Sequence, residues 1–410
     1  MDRSDAVRDF YERMPYPAPL TNLDNHRDLY KSPARRRALF HLIWPAEKER
    51  AIGEILIAGC GTSQAARYAL REPEARVTAI DISDTSLKHT RELQERYKLK
   101  NLELRRLPIE RIGELRHKFD FIVCTGVLHH LSDPDIGLCA LRDVLRPNGA
   151  MHLMVYARYG RTGIYMMQDY CRLLGIGTSE SDLQDLGTAL EALPANHPMS
   201  NLVRREKEFH RPEAMADALL HPRDRAYTVP ELYAWLDRCG MLFGRWYEQA
   251  PYLPQCGLIT RTPHAAQLAS LKEHEQHEAV ELFRGTITRH SLVAYRSDRP
   301  KEAQPIRFSD DQWRNYVPLR LPWTACVRDR APPGSVAVLL NPAHQHPDLA
   351  LPINAIENHL VDQIDGTRTL GAIVQRNSEK DSAVRARTFF QQLWRYDQVV
   401  FDASRAIAAA

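Results

Sequence analysis

The stretch Ile55-Leu56-Ile57-Ala58-Gly59-Cys60-Gly61-Thr62-Ser63, with helical spacing from Gln64 to Leu70 behind it, decides the fold. Its short apolar run reads as a strand, and the glycines let the backbone turn tightly and approach a ligand at the next helix N-terminus. About twenty residues on, Asp81 closes a second apolar run, Arg76-Val77-Thr78-Ala79-Ile80. A carboxylate placed there accepts hydrogen bonds from both hydroxyls of a ribose.

Moving outward, three more apolar runs follow, Leu102 to Leu104, Phe119 to Cys124 and Ala150 to Met154, separated by helical stretches from Ser86 to Tyr97 and from Asp135 to Leu145. Strand and helix in alternation indicate a parallel sheet with right-handed crossovers. Residues 158–226 read as a helical insertion on the acceptor side. Two later runs, Phe243 to Tyr247 and His290 to Tyr295, complete a seven-stranded, doubly wound Rossmann-like α/β sheet. The expected organisation is a helical N-terminal strap (1–50), the core in two parts (51–157 and 227–300) around the insertion, and a charged, proline-rich linker (301–334). A small α+β, winged-helix-like module (335–410) ends the chain.

Composition narrows the partners. With 55 basic and 52 acidic side chains the net charge is +3, too little for a chain-wide field that would attract nucleic acid or a membrane surface. The run Arg35-Arg36-Arg37 reads as a solvated helix face. The seven cysteines are widely spaced without paired metal-ligand spacing, as in a reduced cytoplasmic protein. No apolar run approaches the ~20 residues that cross a bilayer, nor is there a signal-peptide core. His344, His346 and His359 fall to an ordinary polar loop and helix, and no metal is expected.

The third position of a Gly-x-Gly-x-x-Gly loop is Gln64, which disfavours a pyrophosphate and favours a nucleoside carrying an amino-acid tail, such as S-adenosylmethionine. The chain resembles the class I S-adenosylmethionine-dependent methyltransferases. The resemblance is carried by the Ile55–Ser63 stretch, Ala79-Ile80-Asp81-Ile82-Ser83, Phe119-Asp120-Phe121-Ile122, Gly126-Val127-Leu128-His129-His130-Leu131 and Leu145-Arg146-Pro147-Asn148-Gly149. It is similar to a bacterial branch often linked to tetratricopeptide repeats, although the repeats are absent here. The resemblance implies that Ala58, Gly59, Cys60 and Gly61 line the methionine end of the cofactor. It further implies that Asp81 and Ile82 hold the ribose, that the Ile109 amide meets the adenine, and that the segment from Cys124 to His129, with Thr125 and Gly126 among the cofactor contacts, faces the methyl group.

Methyl transfer from a sulfonium is an in-line displacement, so positioning the acceptor is the main task, and a neutral imidazole can remove its proton where needed. His129 and His130 follow the fourth strand, at the ligand-bearing end of such a sheet, and with Tyr156 they are the candidate catalytic residues. Arg158, Tyr159, Tyr16 and His290 are the candidate acceptor contacts. The leading expectation is transfer to O, N or S of a small molecule. A peptide or protein acceptor docked by the C-terminal module, and a non-catalytic cofactor-sensing module, are the alternatives. A homodimer is one option for the assembly.

Overall fold

The computed structural model describes residues 3–205, 207–300, 306–375 and 382–407. Residues 301–305 of the expected linker, and 376–381 and 408–410 of the expected C-terminal module, therefore lie outside the described residues. The chain forms two compact units, the first from Met1–Arg27, Ile52–Phe243 and Arg284–Arg299, the second from Asp28–Ala51, Gly244–Phe283 and Pro300–Ala410.

The first unit is built on a mixed sheet of β1 (Glu54–Ala58), β2 (Arg76–Asp81), β3 (Leu102–Arg106), β4 (Phe119–Thr125), β5 (Leu145–Ala157), β6 (Ala226–Tyr227), β7 (Met241–Trp246) and β8 (Arg289–Arg296). The strands lie in the order β3-β2-β1-β4-β5-β8-β7, with β6 beside the end of β5. From β1 to β5 neighbours pair in parallel, and β8 runs antiparallel to β5. Eight strands thus stand where seven are expected. The extra one, β6, is two residues long, too short for a periodic pattern to announce it. Ile55, Leu56 and Ile57 pair with Phe121, Ile122 and Val123, and all six are buried, as a parallel sheet covered on both faces requires.

The chain winds outward from β1 to β3 and then returns to place β4 against the other side of β1. Such a reversal opens a crevice at the carboxyl ends of β1 and β4, where ligands bind in open sheets. The helices bordering it have defined starts. Ser83 accepts a bond from the Ser86 amide at 3.1 Å, and Asp133 accepts from the amides of Asp135 and Ile136 at 2.9 and 3.2 Å, with Pro134 in the first turn. Asp133→Ala removes the acceptor that opens helix Pro134–Val144, so chemical denaturation should show a loss of about 1 kcal/mol with the slope unchanged.

Residues 158–226 fold as the helices Thr162–Leu174, Glu180–Glu191, Ser200–Arg205 and Pro212–Leu219. Ile164, Met167, Leu186, Leu190, Met199 and Met215 form their shared core.

The second unit departs from the sequence-based boundaries. Segment 301–334 is no linker in its described part, because Trp313 and Tyr316 are buried in a core with Leu360, Phe389 and Phe390. Strand β9 (Val317–Arg320) also pairs antiparallel with β13 (Val399–Asp402). A second small sheet joins β10 (Ala325–Val327), β11 (Ala337–Leu340) and β12 (Leu351–Ile353). Nor does the strap end at residue 50 as one piece. Ala38, Leu39 and Leu42 of helix Pro33–Ile43 pack on Val317, Leu319 and Val400. The Arg37 guanidinium pairs with Asp402 at 2.7 Å, which corrects the expectation of a wholly solvated arginine face. Composition marked this region as charged and proline-rich, but the apolar residues between the charges carry its packing. Among the described residues, no helix is long and apolar enough to cross a membrane.

Candidate active site

The crevice of the first unit begins at Ala58, the buried last residue of β1. Gly59 follows with φ +72°, and a Cβ there would stand 2.4 Å from a Val127 methyl, so the turn after β1 packs directly on the turn after β4. The Gly59 and Cys60 amides both donate to the Ile80 carbonyl, at 2.9 and 3.0 Å, tying this turn to the end of β2. Cys60 is buried, which pushes its thiol well up and leaves it neutral. The Asp81 carboxylate then accepts from the Gly61 amide at 2.8 Å and from the Ser83 amide at 3.0 Å. Burial raises its pKa against the lowering effect of those amide bonds. Ile82 sits between the donors of this clamp, and the Leu107 amide bonds to the Asp81 carbonyl at 3.0 Å just before buried Ile109. Beyond β4, Thr125 accepts from the Gln64 side chain at 2.8 Å, and Gly126 at φ +79° donates to Met154 at 3.0 Å.

The N-terminal residues of this unit run over the loop. A Cβ on Gly61 would lie 3.4 Å from both the Tyr16 carbonyl and the Pro17 ring, and Thr62 donates to the Pro17 carbonyl at 2.8 Å. Glu12 accepts from the amides of Asp84 and Thr85 at 2.7 and 3.1 Å, placing a carboxylate on the N-terminus of helix Asp84–Tyr97. Ser83 donates to the Tyr11 carbonyl at 3.4 Å. Tyr16 is thus brought to the glycine loop through its backbone.

A buried polar cluster adjoins the turn after β4. His129 and His130 follow Gly126 by one short helical turn, and Tyr156 is near the end of β5. The His129 ring lies 3.9 Å from Tyr156 and 4.1 Å from His130, and His130 lies 3.9 Å from His221, centroid to centroid. The Tyr156 and Tyr11 hydroxyls donate to the two oxygens of Asp217, at 3.3 and 3.0 Å. Arg161 stands 3.5 Å over the Tyr156 ring and pairs with Asp224 at 3.1 Å.

Burial sets the protonation of this cluster. It pushes His129 well below the usual histidine range, with His130 and Arg161 adding to the fall. His130 falls to about 4 and His221 to about 2 for the same first reason. Desolvation lifts Asp217 to about 6, opposed by the bond from Tyr11 and the charge of Arg161. Tyr11 and Tyr156 are raised well above 10 by burial and then by the Asp217 charge, so both are hydroxyl donors.

The structure therefore brings together the glycine loop, Asp81, His129, His130 and Tyr156, but not every candidate. Arg158 turns outward and pairs with Glu231 at 2.9 Å, with half its side chain exposed, and Tyr159 is exposed too. Both begin a helix, and its first turn points them to solvent. His290 is buried, with its Nε2 2.9 Å from the Tyr227 carbonyl, a place that ties β8 to β6. Burial holds the expected imidazole bases neutral, and in this cluster it is Asp217 that is lifted toward neutrality. Sequence reasoning passed over Asp217, His221 and Asp224. One signal was present: Asp217 interrupts the otherwise apolar run Ala214-Met215-Ala216-Asp217-Ala218-Leu219, and a lone acid there is either paired or functional.

Residues 56–151 match the family described as Methyltransferase domain. The uncharacterized protein syc1184_c of Synechococcus sp. is 34% identical over 279 residues, 65% of this chain and 65% of that protein. The ubiquinone biosynthesis O-methyltransferase of Acinetobacter baylyi is 25% identical over 131 residues, 31% of this chain and 55% of the relative. The chain thus spans less than two thirds of the length of these relatives. The structure of PKMT2 from Rickettsia typhi in complex with AdoHcy has a TM-score of 0.64 at 16% identity, covering 91% of this chain and 76% of that one. That likeness is one of fold, and the sheet described above is the Rossmann-like methyltransferase fold.

Proposed function

We propose, from the premise that residues 56–151 are a class I S-adenosylmethionine-dependent methyltransferase domain, that the chain transfers a methyl group in-line to a nucleophilic O, N or S of a small-molecule acceptor. The observation that carries the reading is the Asp81 carboxylate clamped by the Gly61 and Ser83 amides at the open end of the β1/β4 crevice. The residues present fit the cofactor. A carboxylate has about four lone-pair directions, so beyond these two amides Asp81 keeps capacity for ribose hydroxyls. Gly59, Gly61 and Gly126 supply the bare backbone that a close-packed nucleoside and amino-acid tail need. When bound, S-adenosylmethionine supplies an activated methyl on a sulfonium, so no strong base is required to break the bond.

The chain's own residues orient the acceptor and take its proton. Tyr11 and Tyr156 fix both oxygens of Asp217, and at about 6 this carboxylate is ionised at neutral pH yet basic enough to accept a proton. The neutral rings of His129 and His130 lie beside Tyr156 in the same cluster. Burial of His129 and Asp217, with Tyr156 half-buried beside them, supports a slender acceptor and limits competition by water. The free cysteines, none of them paired, support a cytoplasmic setting.

Methyl-labelled S-adenosylmethionine incubated with the protein and a fractionated cell extract tests the proposal. Label is expected in the small-molecule fraction. Label confined to protein bands would overturn the acceptor class, and absence of label in every fraction despite bound cofactor would overturn the transferase reading.

A further inference from the structure

Three side chains in the first unit bring ligand atoms together. A ring nitrogen of His129, one of His130 and a carboxylate oxygen of Asp224 all lie within 4.8 Å of one another. The unpartnered atoms are both nitrogens of His129, Nε2 of His130 and Oδ1 of Asp224, each buried. His129 has no exposed surface and His130 has 3%. Buried polar atoms left unmatched cost roughly 1–3 kcal/mol each, and here several point into one small volume.

The opposite side of each ligand is held. His130 Nδ1 sits 2.7 Å from the Arg223 carbonyl, which fixes a proton on Nδ1 and turns Nε2 inward as a bare lone pair. Asp224 Oδ2 accepts from Arg161 at 3.1 Å and from Gln168 at 3.0 Å, leaving Oδ1 for the interior. A carbonyl behind a histidine and donors behind a carboxylate are the outer contacts that orient metal ligands.

We propose that His129, His130 and Asp224 form a binding site for one divalent transition-metal ion. Ligand atoms of a tetrahedral ion with bonds of ~2.1 Å stand roughly 3.4 Å apart, so closing this trio requires only small side-chain shifts. Two imidazoles with one carboxylate select a borderline ion such as Zn2+ or Fe2+ over Mg2+ or Ca2+, and leave coordination positions open. Around the trio stand the carboxylates of Asp217 and Asp224 and the guanidinium groups of Arg161 and Arg223, a balanced set before an ion enters. This inference goes beyond the methyl-transfer reading and does not rest on it.

The test uses the full chain, stripped with chelator and dialysed separately against Zn2+, Co2+, Mn2+ and, without oxygen, Fe2+. Elemental analysis should find close to one equivalent of Zn2+, Fe2+ or Co2+ per chain, and the Co2+ form should show ligand-field bands in the visible. His130→Ala and Asp224→Asn should lose that equivalent. Gln168→Leu, which removes only an outer donor, should weaken binding about 10–100-fold. Thermal unfolding and S-adenosylhomocysteine binding, measured on each variant, show whether it is folded. Wild-type protein that keeps no ion, or variants that keep as much as wild type, would overturn the site. Metal bound without S-adenosylhomocysteine binding leaves the site standing and removes the transferase reading, and the converse removes only the site.

Discussion

Asp81→Ala lowers affinity for S-adenosylmethionine by about 10²- to 10⁴-fold, because hydrogen bonds from ribose hydroxyls to a charged acceptor are worth roughly 1.5–3 kcal/mol each and two are lost. The loss has a second source in the protein itself. The Gly61 and Ser83 amides, now at 2.8 and 3.0 Å from the carboxylate, lose their acceptor, and the glycine turn keeps only its backbone bonds to Ile80 as ties to the end of β2. Some global stability goes with it. Asp81→Asn separates the contributions, since its amide oxygen keeps one backbone bond while the charge is gone. Calorimetric titration with S-adenosylhomocysteine, alongside denaturation of each variant, reads both. An Asp81→Ala protein that binds within threefold of wild type would show that the β1/β4 crevice does not hold a ribose.

Asp217→Asn cuts the rate of methyl transfer by about 10²- to 10⁴-fold, the range of a positioned general base, with cofactor affinity nearly unchanged. The wild-type rate should rise as pH passes about 6, where Asp217 ionises, and the variant should lack that limb. Stability moves the other way. The folded pKa is raised from 3.8 to about 6, so the group favours folding below about pH 4 and that contribution fades as pH rises through 6. A lift of this size is roughly 3 kcal/mol in the differential binding of one proton. The asparagine variant should therefore be at least as stable as wild type at pH 7 to 8, and lose ground relative to it near pH 4. A full-rate variant with an intact acid limb would remove Asp217 from the chemistry. Equal loss of cofactor binding and rate would make it a structural anchor for Tyr11 and Tyr156.

The cofactor end of this site was legible because its parts are local. Ala58, Gly59 and Gly61 sit on one continuous turn, and Asp81 belongs to the next strand, paired to the first along its length. A glycine at φ +72° and a carboxylate at a strand end leave marks in the sequence that short-range sterics and spacing explain. The acceptor end was only half legible. His129, His130 and Tyr156 were visible as polar residues at strand ends, but their partners come from the helical insertion and from the N-terminal helix.

By itself, the sequence determined the parallel alternation of strands and helices, the glycine turn and the acid at the end of the second strand, since each rests on residues close in the chain and on backbone preferences that act there. Tertiary structure alone decided what surrounds Asp217 and the histidines. Tyr11 meets Asp217 across 206 positions and Tyr156 meets it across 61, while His130 finds the Arg223 carbonyl across 93. It also decided that residues 28–51 belong with the C-terminal segment, through Arg37 and Asp402 across 365 positions. Contacts of that separation are selected by packing and desolvation in the folded chain, and no local pattern encodes them. The protonation of Asp217 and of the histidines is decided in the same way, because burial sets it and burial exists only once the fold is complete.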